Sequence, residues 1–176
     1  MAFAVGDKVV HPNIGAGIIT ATKDQELIAG FKRYYVIDIP AWESTIYVPV
    51  RKAEELGLRS VVSRDKITGV LNVLASLPQS LPGDHRERQE TIENRMATGQ
   101  PPQVAEAVRD LAWHKSDARL NQKDEQMMAR GRKLLASEIA VVLGIGVHEA
   151  YAAMDESLEI AITRGKEAAE EGKSKK

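Results

Sequence analysis

The hydrophobic pattern of this chain changes period near Val61, from the two-residue alternation of strands to the 3.6-residue recurrence of helices. A single switch of this kind calls for two kinds of layer built one after the other, so the expected class is α+β: a β-module, then a helical one. Before the switch, Lys8-Val9-Val10 and Gly17-Ile18-Ile19-Thr20-Ala21-Thr22 read as strands, separated by the turn residues His11-Pro12-Asn13-Ile14-Gly15. Residues 24–31 read as a loop or hairpin connection punctuated by Gly30. Lys32 to Ile39 is the clearest strand. Tyr35, Ile37 and Ile39 fall on one of its faces, and Tyr34, Val36 and Asp38 on the other. Pro40-Ala41-Trp42-Glu43 breaks the run, and Thr45-Ile46-Tyr47-Val48 is a further strand closed by Pro49. Short strands with frequent turns predict a small antiparallel barrel over residues 1–60. A module of about 60 residues is marginal alone, so it should lean on its neighbour or on a partner.

After the switch, five helices are expected. Ser63 caps the first, with Ile67, Val70, Leu71 and Leu74 inward; Leu77-Pro78 ends it. Pro82-Gly83-Asp84 opens a second, from His85 to about Thr98, stopped by Gly99. Pro101-Pro102 starts a third, with Trp113 near its buried face. Asn121 caps a long fourth that ends at Gly144-Ile145-Gly146. A fifth runs from Val147 to about Ile162. The expected layout is therefore a β-domain over 1–60, a compact helical domain over 61–163, and a charged, disordered tail over 164–176.

Composition narrows the function classes. Of 176 residues 43% are hydrophobic, which suffices for a core. There is no cysteine, which removes disulfides, thiolate metal sites and cysteine catalysis, and fits a reducing compartment. The N-terminus lacks the pattern of a signal peptide, and no apolar run approaches the roughly 18–20 residues of a membrane span. A cytoplasmic chain with no membrane partner is expected. His11, His85, His114 and His148 show no metal-ligand spacing. Gly15-Ala16-Gly17 precedes a strand instead of a helix, so it reads as a turn between strands and not as a phosphate loop. No nucleophile–base pairing and no G-x-S-x-G elbow is visible. The expectation is no enzyme, no catalytic residues, no metal and no cofactor.

The features left over concern binding. Tyr34, Tyr35, Trp42 and Tyr47 gather four of the chain's eight aromatic residues. Alternation assigns Tyr35 to the core, whereas Tyr34 and Tyr47 stand open between core filling and interface anchoring. Arginines concentrate at Arg86, Arg88 and Arg95 and again at Arg130 and Arg132, next to Lys133. Each cluster has two readings, a phosphate contact or a solvated helix face, and Glu87, Glu90 and Glu93 interleave the first. The net charge of -1 means that any DNA contact rests on a few placed residues.

In order along the chain, Phe3-Ala4-Val5-Gly6-Asp7-Lys8-Val9-Val10-His11-Pro12, Tyr34-Tyr35-Val36-Ile37, Thr45-Ile46-Tyr47-Val48-Pro49-Val50 and Leu56-Gly57-Leu58-Arg59 are followed by Met96-Ala97-Thr98-Gly99, residues 104–111 and residues 134–140. This ordered set, over residues 3 to 160, resembles the CarD family of bacterial transcription factors. The resemblance implies a Tudor-like N-terminal domain that binds the β subunit of RNA polymerase, with Gln25 and Tyr47 as matching contact positions, and the aromatic reading adds Tyr34 as a third candidate contact. It implies a helical domain at the upstream edge of the promoter bubble, where the family stabilises the open complex. Candidate DNA contacts, weak and to backbone and minor groove, are His85, Arg86, Arg88, Arg130 and Arg132. Many relatives carry a tryptophan wedge at the start of the second helix; here that position is His85, and imidazole fills a base step less well than indole. His85 stands open between a wedge and an ordinary surface residue. A monomer is expected, and a protein-binding adaptor without a DNA role is the alternative.

Overall fold

The computed structural model describes residues 2–174. It has five strands followed by five helices, an α+β chain. The strands are β1 (Lys8–His11), β2 (Gly15–Ile28), β3 (Phe31–Ile39), β4 (Ser44–Pro49) and β5 (Arg59–Ser60). They form one antiparallel sheet in the order β4-β3-β2-β1-β5. The sheet is open, with β4 and β5 as its edges, where a barrel was expected. Strand β5 has only two residues, too short a ladder to reach round and seal against β4. Residues 24–28, expected in a connection, extend β2 instead. Gly30, at φ 86, supplies the left-handed position for the turn into β3. Gly15 and Gly17 lie within β2, paired to β1, so the turn itself is at Pro12 to Ile14.

The alternation of β3 sets the core of this sheet. Tyr35, Ile37 and Ile39 pack with Val9, Ile19, Val48, Ala53 and Leu58. The Tyr35 hydroxyl accepts the Phe3 N–H at 3.0 Å, so its polar end is satisfied at the core margin. The opposite face of β3 is also covered, since Tyr34 and Val36 are buried.

The chain divides into two compact units. The first comprises residues up to Arg64 together with Ala136–Ala150; the second comprises Asp65–Leu135 and Tyr151 onward. In the first, residues 136–150 close polar and apolar gaps left by the sheet. The Ala16 N–H donates to Ser137 Oγ (3.0 Å), and Lys8 Nζ donates to the Val141 carbonyl (2.9 Å). The buried Glu138 carboxylate accepts two bonds from Arg59, at 2.8 and 2.9 Å, and one from the Val62 N–H at 3.0 Å. Val141 packs on Val10 and Ala16.

The helices are α1 (Arg64–Ala75), α2 (His85–Ala97), α3 (Pro101–Asp117), α4 (Gln122–Leu143) and α5 (Val147–Ser174). Their starts follow local chemistry. Asp84 caps α2 by accepting the N–H groups of Arg86 and Glu87, Pro101 opens α3, and Asn121 Oδ1 accepts the Asp124 N–H. Ile92, Ala107, Leu111, Leu120 and Met127 form a core cluster of the second unit. Residues 164–174, expected as an irregular tail, continue α5. Ala168, Ala169 and the Glu and Lys residues around them are strong helix formers. Gly165 also lets α5 approach Trp113: a Cβ there would lie 2.8 Å from the indole ring. Lys175 and Lys176 of the expected tail lie outside the described residues. No single described helix is long and apolar enough to cross a membrane.

Candidate functional site

In the first unit, the side chains that face outward define the candidate surface. Among the described residues strand β4 pairs with β3 alone, so its other side is an edge of the sheet whose backbone groups are open to a further strand. Tyr47 stands on this strand and is 44% exposed, so of the two open tyrosines it is the one available as an anchor. Its register partner is Val36, which puts it on the face opposite the main core. Lys23 of β2 reaches over the same ring, with Nζ 5.5 Å from the centroid. Gln25 is exposed two residues beyond Lys23, where β2 begins to shift register against β3. Tyr34, the other candidate, is 1% exposed and its hydroxyl accepts the Ile28 N–H at 3.0 Å. It serves as packing beneath the hairpin and drops out of the set of surface anchors. Beyond Asp24, β2 shifts register against β3, and alternation alone does not announce that.

In the second unit, the arginine clusters separate by burial. His85 and Arg86 are exposed in the first turn of α2. Arg88, two residues on, is 5% exposed and fully engaged. Its Nε and Nη2 donate to Asp124 Oδ2 at 3.1 and 2.8 Å, and its Nη1 donates to the carbonyls of Pro82 and Gly83, each at 3.0 Å. Arg88 therefore holds the loop before α2 to the start of α4; a phosphate would have to displace a buried ion pair to reach it. Arg95 likewise donates to the buried Asp110 at 2.6 Å, alongside Arg109 Nε at 2.8 Å. Arg132 is partly buried, 2.7 Å from Asp155 and with its guanidinium 5.6 Å from the Tyr151 ring centroid. Burial pushes the Tyr151 phenol above its usual range, and the Arg132 charge opposes this more weakly. Arg130 is exposed, six residues along α4 from Asp124, or about 9 Å of helix. The outward-facing part of the candidate DNA set is thus His85, Arg86 and Arg130. The sequence reading missed Asp110 and Asp124, the buried carboxylates that claim Arg95 and Arg88. Acidic residues 15 and 36 positions away carry no local signal that they will meet these arginines.

The described residues contain no group of His, Asp or Glu side chains placed to hold a metal ion. The described surface offers hydrogen-bond edges, an exposed tyrosine and solvent-facing cations, which are means of binding.

Comparison with known proteins decides the family. Residues 3–62 match the CarD-like/TRCF RID domain, and residues 69–155 match the CarD C-terminal domain. The chain belongs to the CarD family. A Bacillus subtilis (strain 168) protein named "Putative transcription factor YdeB" is 30% identical over 143 residues, covering 81% of this chain and 94% of that protein. The two CarD matches meet between residues 62 and 69, beside the change of hydrophobic period.

Proposed function

We propose that this CarD-family chain is a non-enzymatic, cytoplasmic regulator of transcription that docks on the β subunit of RNA polymerase. On this reading it stabilises the promoter open complex from the upstream edge of the bubble, without reading sequence. The N-terminal sheet acts as a Tudor-like module whose strand β2 carries two register irregularities, although the sheet is open at its edges. The observation that carries the reading is the free edge of β4 with Tyr47 exposed on it, within the segment that matches the RID domain. Such an edge supports β-augmentation, in which main-chain bonds give affinity and the tyrosine gives a specific anchor. Exposed Gln25 of β2 extends the contact. In the second unit, His85, Arg86 and Arg130 meet the DNA backbone and minor groove, with His85 in place of a larger wedge. The YdeB likeness supports the transcription role.

The test is capture of the full-length chain by a purified polymerase β lobe. Tyr47→Ala is expected to weaken capture at least fivefold; unchanged capture would remove Tyr47 from the interface. Free DNA binding should be weak and steeply salt-dependent, since tethering to polymerase supplies most of the affinity.

The burial of Arg88 and the pairing of Arg132 favour a second reading, an adaptor that binds a protein partner and leaves DNA untouched. Open-complex lifetime on a promoter template separates the two. The first reading expects Arg86→Ala and His85→Ala to shorten it, and the adaptor reading expects no change.

A further inference from the structure

Gly30, Phe31, Lys32 and Arg33, at the start of β3, line a cleft of about 390 Å³ with Arg51 of the 3-10 turn Val50–Lys52. Every charged residue in that lining is a cation. The Lys32 and Arg51 side chains are exposed and make no ion pair or hydrogen bond among the described residues. Arg33 Nε is 3.6 Å from Asp24 Oδ1, and both side chains are largely in solvent, so this pair is weak and a rival carboxylate can displace it. Phe31 is half-buried, and the Lys52 ammonium sits 5.4 Å from its ring centroid, a fourth cation beside the lining that is held only by a solvent-exposed pair with Glu55 at 3.7 Å. Alternation along β3 places Phe31 and Arg33 on the face opposite Tyr47 and Lys32 on the Tyr47 face, so the cleft spans the end of the strand. The cleft lies at the hairpin end of β3, four residues or about 13 Å of strand from the register partner of Tyr47, and the proposal does not rest on the polymerase assignment.

We propose that this cleft binds an acidic peptide segment of a protein partner. Planar guanidinium groups match carboxylates through paired hydrogen bonds, and Arg33 and Arg51 bring two of them to one concavity. The Phe31 ring offers an apolar surface for the carbon chain of a glutamate or for a neighbouring aliphatic residue. Duplex DNA is a convex rod whose phosphates need cations spread along an open surface. A concave site with converging cations suits a projecting acidic side chain instead.

The test is fluorescence polarisation with a fluorescein-labelled hexaglutamate peptide and the full-length protein. The native chain is expected to bind it with strong salt dependence. The Lys32→Glu, Arg51→Glu double variant should bind at least tenfold more weakly, and Tyr47→Ala should bind as the native chain does. Both substituted cations are exposed, so thermal melts should be unchanged; Arg51→Ala replaces the double variant should that one unfold. Absence of peptide binding by the native chain, or equal binding by the folded variants, overturns the proposal. So does tighter binding of a charge-matched oligonucleotide that the same substitutions abolish, which would assign the cleft to nucleic acid.

Discussion

At the scale of single residues, burial divides arginines that look alike in sequence. Arg86 ends in solvent and can exchange water for a phosphate at little cost, whereas Arg88 is committed to Asp124. Arg88→Met would leave the Asp124 carboxylate, itself fully buried, without its counter-ion. Breaking a buried pair in this way costs about 3–5 kcal/mol. Urea unfolding should show a loss of that size for Arg88→Met, and a change within about 0.5 kcal/mol for Arg86→Met. Equal stabilities would strip Arg88 of its structural role and return it to the DNA set. The neighbouring cap makes a second prediction. The Glu87 N–H bond, with smaller help from the Arg86 N–H and the nearby cations, holds the Asp84 carboxyl below its usual range. Because folding lowers this pKa, the contribution of the cap is complete above the titration of the unfolded carboxyl and is lost as pH falls through the folded value. Amide protection at Arg86 and Glu87 should therefore decline below about pH 4. In Asp84→Asn, which keeps the acceptor oxygen, it should not titrate. The same pH profile in both proteins would show that the charge of Asp84 adds nothing to the cap.

At the scale of elements, the sequence told most where local chemistry is decisive. Asp84, Pro101 and Asn121 mark the starts of three helices because a cap or a fixed φ acts within one turn. The β2–β3 hairpin and the end of α5 were less legible. Residues 24–28 are polar enough to read as loop, yet they continue β2 because Asp24 and Ile28 pair with Arg33 and Phe31 on either side of a bulge. Residues 164–174 are charged enough to read as a tail, yet the helix continues over Trp113 because Gly165 permits close approach. Two Gly→Ala substitutions test that contact. Gly69, inside α1, has open space at its Cβ position, and alanine there should add about 0.5–1 kcal/mol through helix propensity. At Gly165 the same gain is opposed by a Cβ 2.8 Å from the indole and 3.0 Å from Pro78 Cγ. Overpacking of this kind costs about 1–3 kcal/mol, so Gly165→Ala should be net destabilising. Thermal melts that rise for both variants would mean that α5 does not rest on Trp113.

At the scale of the whole molecule, the chain divides close to the point where its hydrophobic period changes, but residues Ala136–Ala150 of the helical half join the N-terminal unit. The period reports which face of each element is apolar, and it has no access to polar groups that meet across a large sequence separation. Ser137 and Glu138 lie in a helix, yet they satisfy Ala16, Arg59 and Val62 of the N-terminal unit. The same limit applies to the candidate docking surface. Tyr47 could be picked out from strand alternation, but its exposure, and the burial of Tyr34, depend on how β2 and β4 flank β3. A fragment that ends at Arg64 keeps all five strands and still loses the acceptor for the Ala16 N–H, the counter-ion of Arg59 and the apolar cover of Val10. Its β1 and β5 amides should exchange faster than in the full chain, and it should be captured by polymerase more weakly although Tyr47 is intact. Glu138→Ala in the full chain should reproduce part of this effect, with a loss of about 3 kcal/mol from the buried carboxylate pair. Hydrogen exchange of β1 and β5 in the three proteins decides the point. If the fragment protects those amides as well as the full chain does, residues 136–150 add nothing to the sheet, and the docking unit is the N-terminal segment by itself.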